Sequence, residues 1–106
     1  MGAPPQLTLE ERRAALAKAA QSRKTRALFK SEVKSGERHW LDAFKSNDEA
    51  IKKMRVKELL ESLPGIGEIR AMNILERAGI SVSRRVQGVG RSQYETLLRL
   101  LKEVDR

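Results

Sequence analysis

Two glycine-x-glycine turns, Gly65-Ile66-Gly67 and Gly88-Val89-Gly90, stand 23 positions apart, and the same apolar stripe follows each. Ala71, Ile74, Leu75 and Ala78 come after the first; Tyr94, Leu97, Leu98 and Leu101 come after the second. Both sets fall at i, i+3, i+4 and i+7, the spacing of one helical face. Val56, Leu59, Leu60 and Leu63 repeat it ahead of the first turn. This pattern predicts an all-α fold, in which three short amphipathic helices pack around two tight corners and no strands form.

The corners carry the chemistry. Pro64 lacks an N–H and turns Leu63 out of helical geometry, while Gly65 and Gly67 permit backbone angles and close approaches that a Cβ would obstruct. Free N–H groups from Ile66 to Ile69 would then gather at the positive end of the next helix, where an anion is favoured. Taken alone, this stretch also fits a helix corner without a ligand. The second turn is more informative. From Ile80 to Tyr94 the chain has Arg84, Arg85 and Arg91 and no acidic residue. Ser81 or Ser83 is placed to cap a single turn around Arg84-Arg85-Val86. Arginines flanking exposed amides match the chemistry of phosphate. The candidate contacts are therefore Gly65, Ile66, Gly67 and Arg70 at the first turn, with Arg84, Arg85, Gly88, Val89, Gly90 and Arg91 at the second.

At these residues the chain resembles known modules. Leu63-Pro64-Gly65-Ile66-Gly67 with Ala71 is similar to the helix-hairpin-helix signature. The longer run through Arg84-Arg85-Val86-Gln87-Gly88-Val89-Gly90 resembles the helix-two-turns-helix modules of ribosomal and DNA-repair proteins. Over roughly residues 5 to 104 the chain resembles the actinobacterial integration host factor family, nucleoid-associated proteins unrelated in fold to their enterobacterial namesake. The resemblance implies that both turns grip the backbone of duplex DNA with little sequence preference, in support of recombination, replication or transcription control. Gln87 departs from the family, some members of which carry a basic residue there, so one phosphate contact is expected to be missing or neutral.

Composition agrees with a polyanionic partner. The 106 residues hold 22 Lys and Arg against 14 Asp and Glu, a net charge of +8, which attracts polyanions at long range. At that length one domain is expected. No apolar run approaches the roughly 18 to 20 residues of a membrane span, no signal-peptide apolar region is present, and Gln6 stands where a myristoylation motif needs Ser or Thr. We read the chain as cytoplasmic, on the nucleoid, with no membrane partner. Without cysteine, and with a lone His39, no metal site or other cofactor is expected.

Along the chain, residues 1–7, with Pro4-Pro5, read as a flexible arm. Residues 8–36 read as a long basic helix, opened by a Thr8–Glu11 capping box and closed by Gly36. Its basic residues run from Arg12 and Arg13 to Lys34 while its apolar face is thin, so its early turns should project and those near Phe29 and Val33 should pack. Residues 37–106 read as the helical DNA-binding domain, with turns at 63–68 and 83–91. Within it Trp40, Leu41 and Phe44 supply core bulk, Ser46 with Glu49 offers a second capping box, and Gly79 caps the helix after the first turn. Leu97, Leu98, Leu101 and Val104 of the last helix close the core.

The function expected is therefore a non-catalytic duplex DNA-binding protein, a monomer when free, with a possible second DNA contact through the basic helix. RNA is a possible partner, since related turns grip RNA phosphates, although few aromatic residues are left to stack on bases. A DNA-repair subunit is the remaining alternative. The chain has no Asp between Asp48 and Asp105, and Pro4 is not placed at the N-terminus by loss of Met1 alone, so an enzyme is not expected.

Overall fold

The computed structural model describes residues 7–104, with side chains to Lys102. The arm expected over residues 1–7 lies outside this range except for Leu7, and so does the Val104 side chain. Six α-helices and one 3-10 turn occur in order: α1 (Leu9–Ser35), α2 (Asp42–Lys45), α3 (Glu49–Lys52), α4 (Val56–Glu61), α5 (Glu68–Ala78), the 3-10 turn Val86–Gly88, and α6 (Arg91–Val104). Among the described residues the β-structure is a single isolated antiparallel bridge, Arg55 with Arg85.

Helix α1 is made by local terms. Ala, Lys, Arg and Glu favour helix at most of its positions. Thr8 accepts from the Glu11 N–H at 3.1 Å while Glu11 Oε1 accepts from the Thr8 N–H at 3.2 Å, and Gly36 ends the helix at φ 87°. Phe29 and Val33 are its buried residues, whereas Leu9, Leu16 and Leu28 are exposed. Its last turns pack on α3, and Lys30 Nζ meets Glu58 Oε1 of α4 at 2.6 Å. The early turns therefore project, and the molecule is 56 Å long but 32 by 24 Å across.

The core is drawn from every helix. Phe29, Val33, Trp40, Ile51, Met54, Val56, Leu59, Leu60, Ile66, Leu75, Leu97 and Leu101 belong to one buried cluster. The aromatic residues do pack as bulk: Trp40 and Phe44 meet edge-on at 6.0 Å, and Phe44 and Tyr94 at 5.1 Å. Tyr94 is half-buried at the core's margin. Leu100 is buried with Leu97 and Leu101, while Leu98 is only partly buried.

Two capping expectations are corrected. Asp48, not Ser46, is the N-cap of α3, its carboxylate accepting from the Ala50 N–H at 2.9 Å. Ser46 Oγ instead accepts from the Asp48 N–H at 3.0 Å. The single turn after Arg84 begins two residues later than expected, its N-cap is Arg85, and no side chain caps it. Ser81 and Ser83 are within 3.3 Å of each other rather than on that turn.

Candidate nucleic-acid interface

The two glycine turns share a pattern but not a backbone. Gly65 takes the left-handed region at φ 80°, which makes the reversal between α4 and α5. Gly67 is the N-cap of α5 at φ −93°, and a Cβ there would meet nothing within 4 Å. What it leaves open is therefore room for an outside group. At the second turn neither Gly88 nor Gly90 has a positive φ. Gly88 is closely approached instead: a Cβ on it would stand 3.1 Å from Arg84 Cδ, so the arginine stem would have to give by a few tenths of an ångström.

An arginine closes each turn. Arg70 Nη1 donates to the Gly65 carbonyl at 3.2 Å, and Arg84 Nη1 donates to the Gly88 carbonyl at 3.0 Å. Gly65 and Gly88 are equivalent positions of the repeat. Each guanidinium is thus fixed by one N–H and keeps its other donors for an external acceptor. Both arginines are exposed.

The supply of free amides differs from expectation. The Ile66 N–H donates to the Leu63 carbonyl at 3.2 Å, Gly88 donates to Arg85 at 2.9 Å and Val89 to Val86 at 3.3 Å. Ile66 is a core residue, only 5% exposed. The groups left over lie one step further on. Helical bonding begins at Ala71 N–H to Gly67 in α5 and at Tyr94 N–H to Gly90 in α6. The amides of Glu68 to Arg70 and of Arg91 to Gln93 therefore have no helical acceptor. No side chain caps α5, and Gly90 has none with which to cap α6. Two bare helix N-termini thus stand beside the two turns, a setting that favours anions. Glu68 would oppose an anion, but its carboxylate is held by Lys57 Nζ at 3.2 Å.

Two residues of the site escape the sequence pattern. Gln93 ties the second turn to the C-cap of α5: its Oε1 accepts from the Gly90 N–H at 3.0 Å, and its Nε2 donates to the Gly79 carbonyl at 2.7 Å. It therefore fixes the start of α6 to the end of α5. Arg55 is the other. The isolated bridge sets it opposite Arg85, outside the two turns yet within the same basic surface. The repeated pair Arg55-Val56 and Arg85-Val86 is the signal that points to it. In both pairs the arginine is exposed and the valine buried. Arg91 also belongs to this surface, with Nε 3.5 Å from Glu95.

A cleft beside the second turn extends this surface. It is lined by Phe44, Lys45, Lys52, Gln87, Gly90, Arg91 and Tyr94 among others. Gln87, the neutral position, thus sits among cations supplied by α2 and α3. No group of three or more metal-ligating residues occurs among the described residues, and no helix there is long and apolar enough to cross a membrane.

Known proteins share this architecture. Residues 41–101 match the model of the S13-like H2TH domain. The chain is 48% identical over 101 residues to the Integration host factor of Streptomyces coelicolor, covering 93% of this chain and 94% of that one. It is 42% identical over 96 residues to the Integration host factor of Mycobacterium tuberculosis, covering 89% and 91%. Among solved structures it is similar to that of sIHF bound to an 8bp palindromic DNA, with a TM-score of 0.73 and 43% identity over 82% of this chain and 97% of that one.

Proposed function

The chain belongs to the actinobacterial integration host factor family and is a nucleoid-associated DNA-binding protein, and we propose that its two glycine turns hold the phosphate backbone of duplex DNA. The observation that carries this reading is the repeated arrangement of a bare helix N-terminus beside an arginine tied to its own turn: Arg70 on Gly65, Arg84 on Gly88. Each unit offers amide donors and a guanidinium to one phosphate, and two units offer them to two. Arg55, Arg85 and Arg91 add charge. Such contacts set register on the duplex without reading bases. Sequence preference would then come from the ease with which a site deforms.

The role is non-catalytic and is performed on the nucleoid: bending, bridging or compacting DNA. The projecting part of α1, with Arg12, Arg13 and Lys18 exposed, supplies a second basic surface on which another duplex, or another part of the same one, would rest. Two surfaces make a bridge. The reading is tested by titrating the protein against several unrelated duplexes over a salt series. Similar affinities that fall with salt at a log–log slope of about −0.9 per phosphate neutralised support it. A strong preference for one sequence with a shallow slope would contradict it.

A further inference from the structure

Lys45 and Lys52 are the last residues of the two shortest helices, α2 and α3, and the fold makes little use of either. Lys45 is exposed and has no carboxylate partner among the described residues. Lys52 Nζ stands 3.7 Å from Glu49, whose carboxylate is shared with Lys53 at 3.9 Å. One exposed carboxylate between two lysines stabilises little and leaves charge over. Both Lys45 and Lys52 nevertheless line one open cleft, together with Gln87, Gly90 and Arg91 of the second turn.

The lining of this cleft specifies what it can take. Its polar side chains are Lys45, Ser46, Lys52, Gln87, Arg91 and Tyr94. None is a carboxylate, and each carries a hydrogen-bond donor. The Ser46 Oγ accepts from the Asp48 N–H at 3.0 Å, which leaves its own O–H to donate outward. The rest of the wall is apolar, with Phe44 and Val86 in it, and charge of one sign over such a wall focuses the field into the cleft. The complementary group is anionic and accepts on several oxygens, as a phosphodiester does. Position says which phosphodiester. Both α2 and α3 pack on the 3-10 turn Val86–Gly88, so the lysines stand beside the turn that Arg84 closes, and Gly90 and Arg91 belong to cleft and turn alike.

We propose that this cleft receives the continuation of the strand held at the second turn, and that Lys45 and Lys52 each neutralise one further phosphate. The grip on the duplex then extends beyond the paired turns onto α2 and α3, and the charge that Gln87 withholds is supplied from there. The inference rests on the duplex-binding reading above and adds a third element to that interface.

The test compares the full chain with Lys45→Gln, Lys52→Gln and the double variant on a short unrelated DNA duplex over a salt series. Two further variants run alongside: Lys53→Gln, and Arg84→Glu/Arg85→Glu as the measure of the turns themselves. Lys53 carries the same charge as Lys52 and meets the same Glu49, but it does not line the cleft. Thermal melting verifies that the variants fold. Each single cleft variant should make the salt slope shallower by about 0.9, and the double variant by about twice that, with a loss of roughly tenfold or more in affinity at low salt. Lys53→Gln should keep the parent's slope and affinity. Equal losses in Lys53→Gln and Lys52→Gln would overturn the cleft, because the lysines would then act only through overall charge. A double variant that binds like the parent while Arg84→Glu/Arg85→Glu binds weakly would overturn the cleft and leave the turns standing. A parent chain whose binding does not depend on salt would overturn the duplex reading itself, and the cleft with it.

Discussion

Arg55 and Arg85 face each other across an isolated antiparallel bridge, secured on one side by the Val56 N–H on the Arg84 carbonyl at 3.0 Å and on the other by the Val86 N–H on the Met54 carbonyl at 2.9 Å. With the bonds flanking the pair, the two side chains leave the same face, in a geometry whose Cα atoms are about 4.5 Å apart. Like charges so placed oppose folding, and neither arginine has a carboxylate partner among the described residues. An anion between them removes the conflict.

Reversing one of the two charges should therefore separate stability from binding. Arg55→Glu creates an opposite-charge pair with Arg85 and should leave the melting temperature unchanged or raise stability by up to about 0.5–1 kcal/mol. Duplex affinity should fall by tenfold or more, and the salt slope should become shallower by about 0.9 for each phosphate no longer neutralised. Melting and binding measured on one preparation check both halves.

The glycines of the first turn should fail differently. Gly65→Ala forces a Cβ into the left-handed region and should cost about 1–2 kcal/mol of stability. Gly67→Ala meets no neighbouring atom within 4 Å and exchanges one N-cap for a poorer one, a loss of about 1 kcal/mol or less. Its Cβ nevertheless stands where a phosphate would approach the α5 amides. Denaturant titration beside duplex binding should therefore show Gly65→Ala as chiefly a folding defect and Gly67→Ala as chiefly a binding defect.

Gln93→Ala removes two hydrogen bonds that join the ends of α5 and α6. The freed Gly90 N–H and Gly79 carbonyl are open to water, so the cost should be modest, about 1–2 kcal/mol. Because the second turn loses its anchor, binding should weaken although no charge has changed, and the salt slope should hold. Calorimetry and a salt series check this.

How much of this was legible in the sequence follows from range. The long helix with its caps, the Gly79 cap, and the stripes Val56 to Leu60 and Ala71 to Ala78 are set by neighbours within one or two turns, and each is where periodicity places it. The Arg55–Arg85 bridge joins positions 30 apart through one residue on each side, too short to leave an alternating pattern. Identical letters also hid different settings: Gly65 is needed for its φ, whereas Gly88 has ordinary φ and lies close under the stem of Arg84. The Ile66 amide looked free because a closing bond to Leu63 leaves no compositional trace. Asp48 displaced Ser46 as cap since its carboxylate reaches the Ala50 N–H two residues on. Leu100 takes the buried place expected for Leu98, since Leu97, Leu100 and Leu101 at i, i+3 and i+4 share a helical face just as Leu97, Leu98 and Leu101 do.

The projecting helix should contribute to bridging rather than to the primary grip. Neutralising Arg12, Arg13 and Lys18 to Gln lies far from Phe29 and Val33, where α1 is seated, and should leave the melting temperature and short-duplex affinity nearly unchanged. Compaction of long DNA, followed by light scattering or single-molecule extension, should be reduced. Undiminished compaction would confine DNA to the two turns.

The central claim is that those turns hold duplex backbone, and it is met most directly by Arg84→Glu/Arg85→Glu against the parent chain on a short unrelated DNA duplex over a salt series. The account predicts that the double variant melts like the parent, loses most of its affinity, and binds with a slope shallower by about 0.9 for each phosphate released. A variant that melts like the parent and also binds DNA with the parent's affinity and slope would contradict it, and would leave the two-turn site a structural corner.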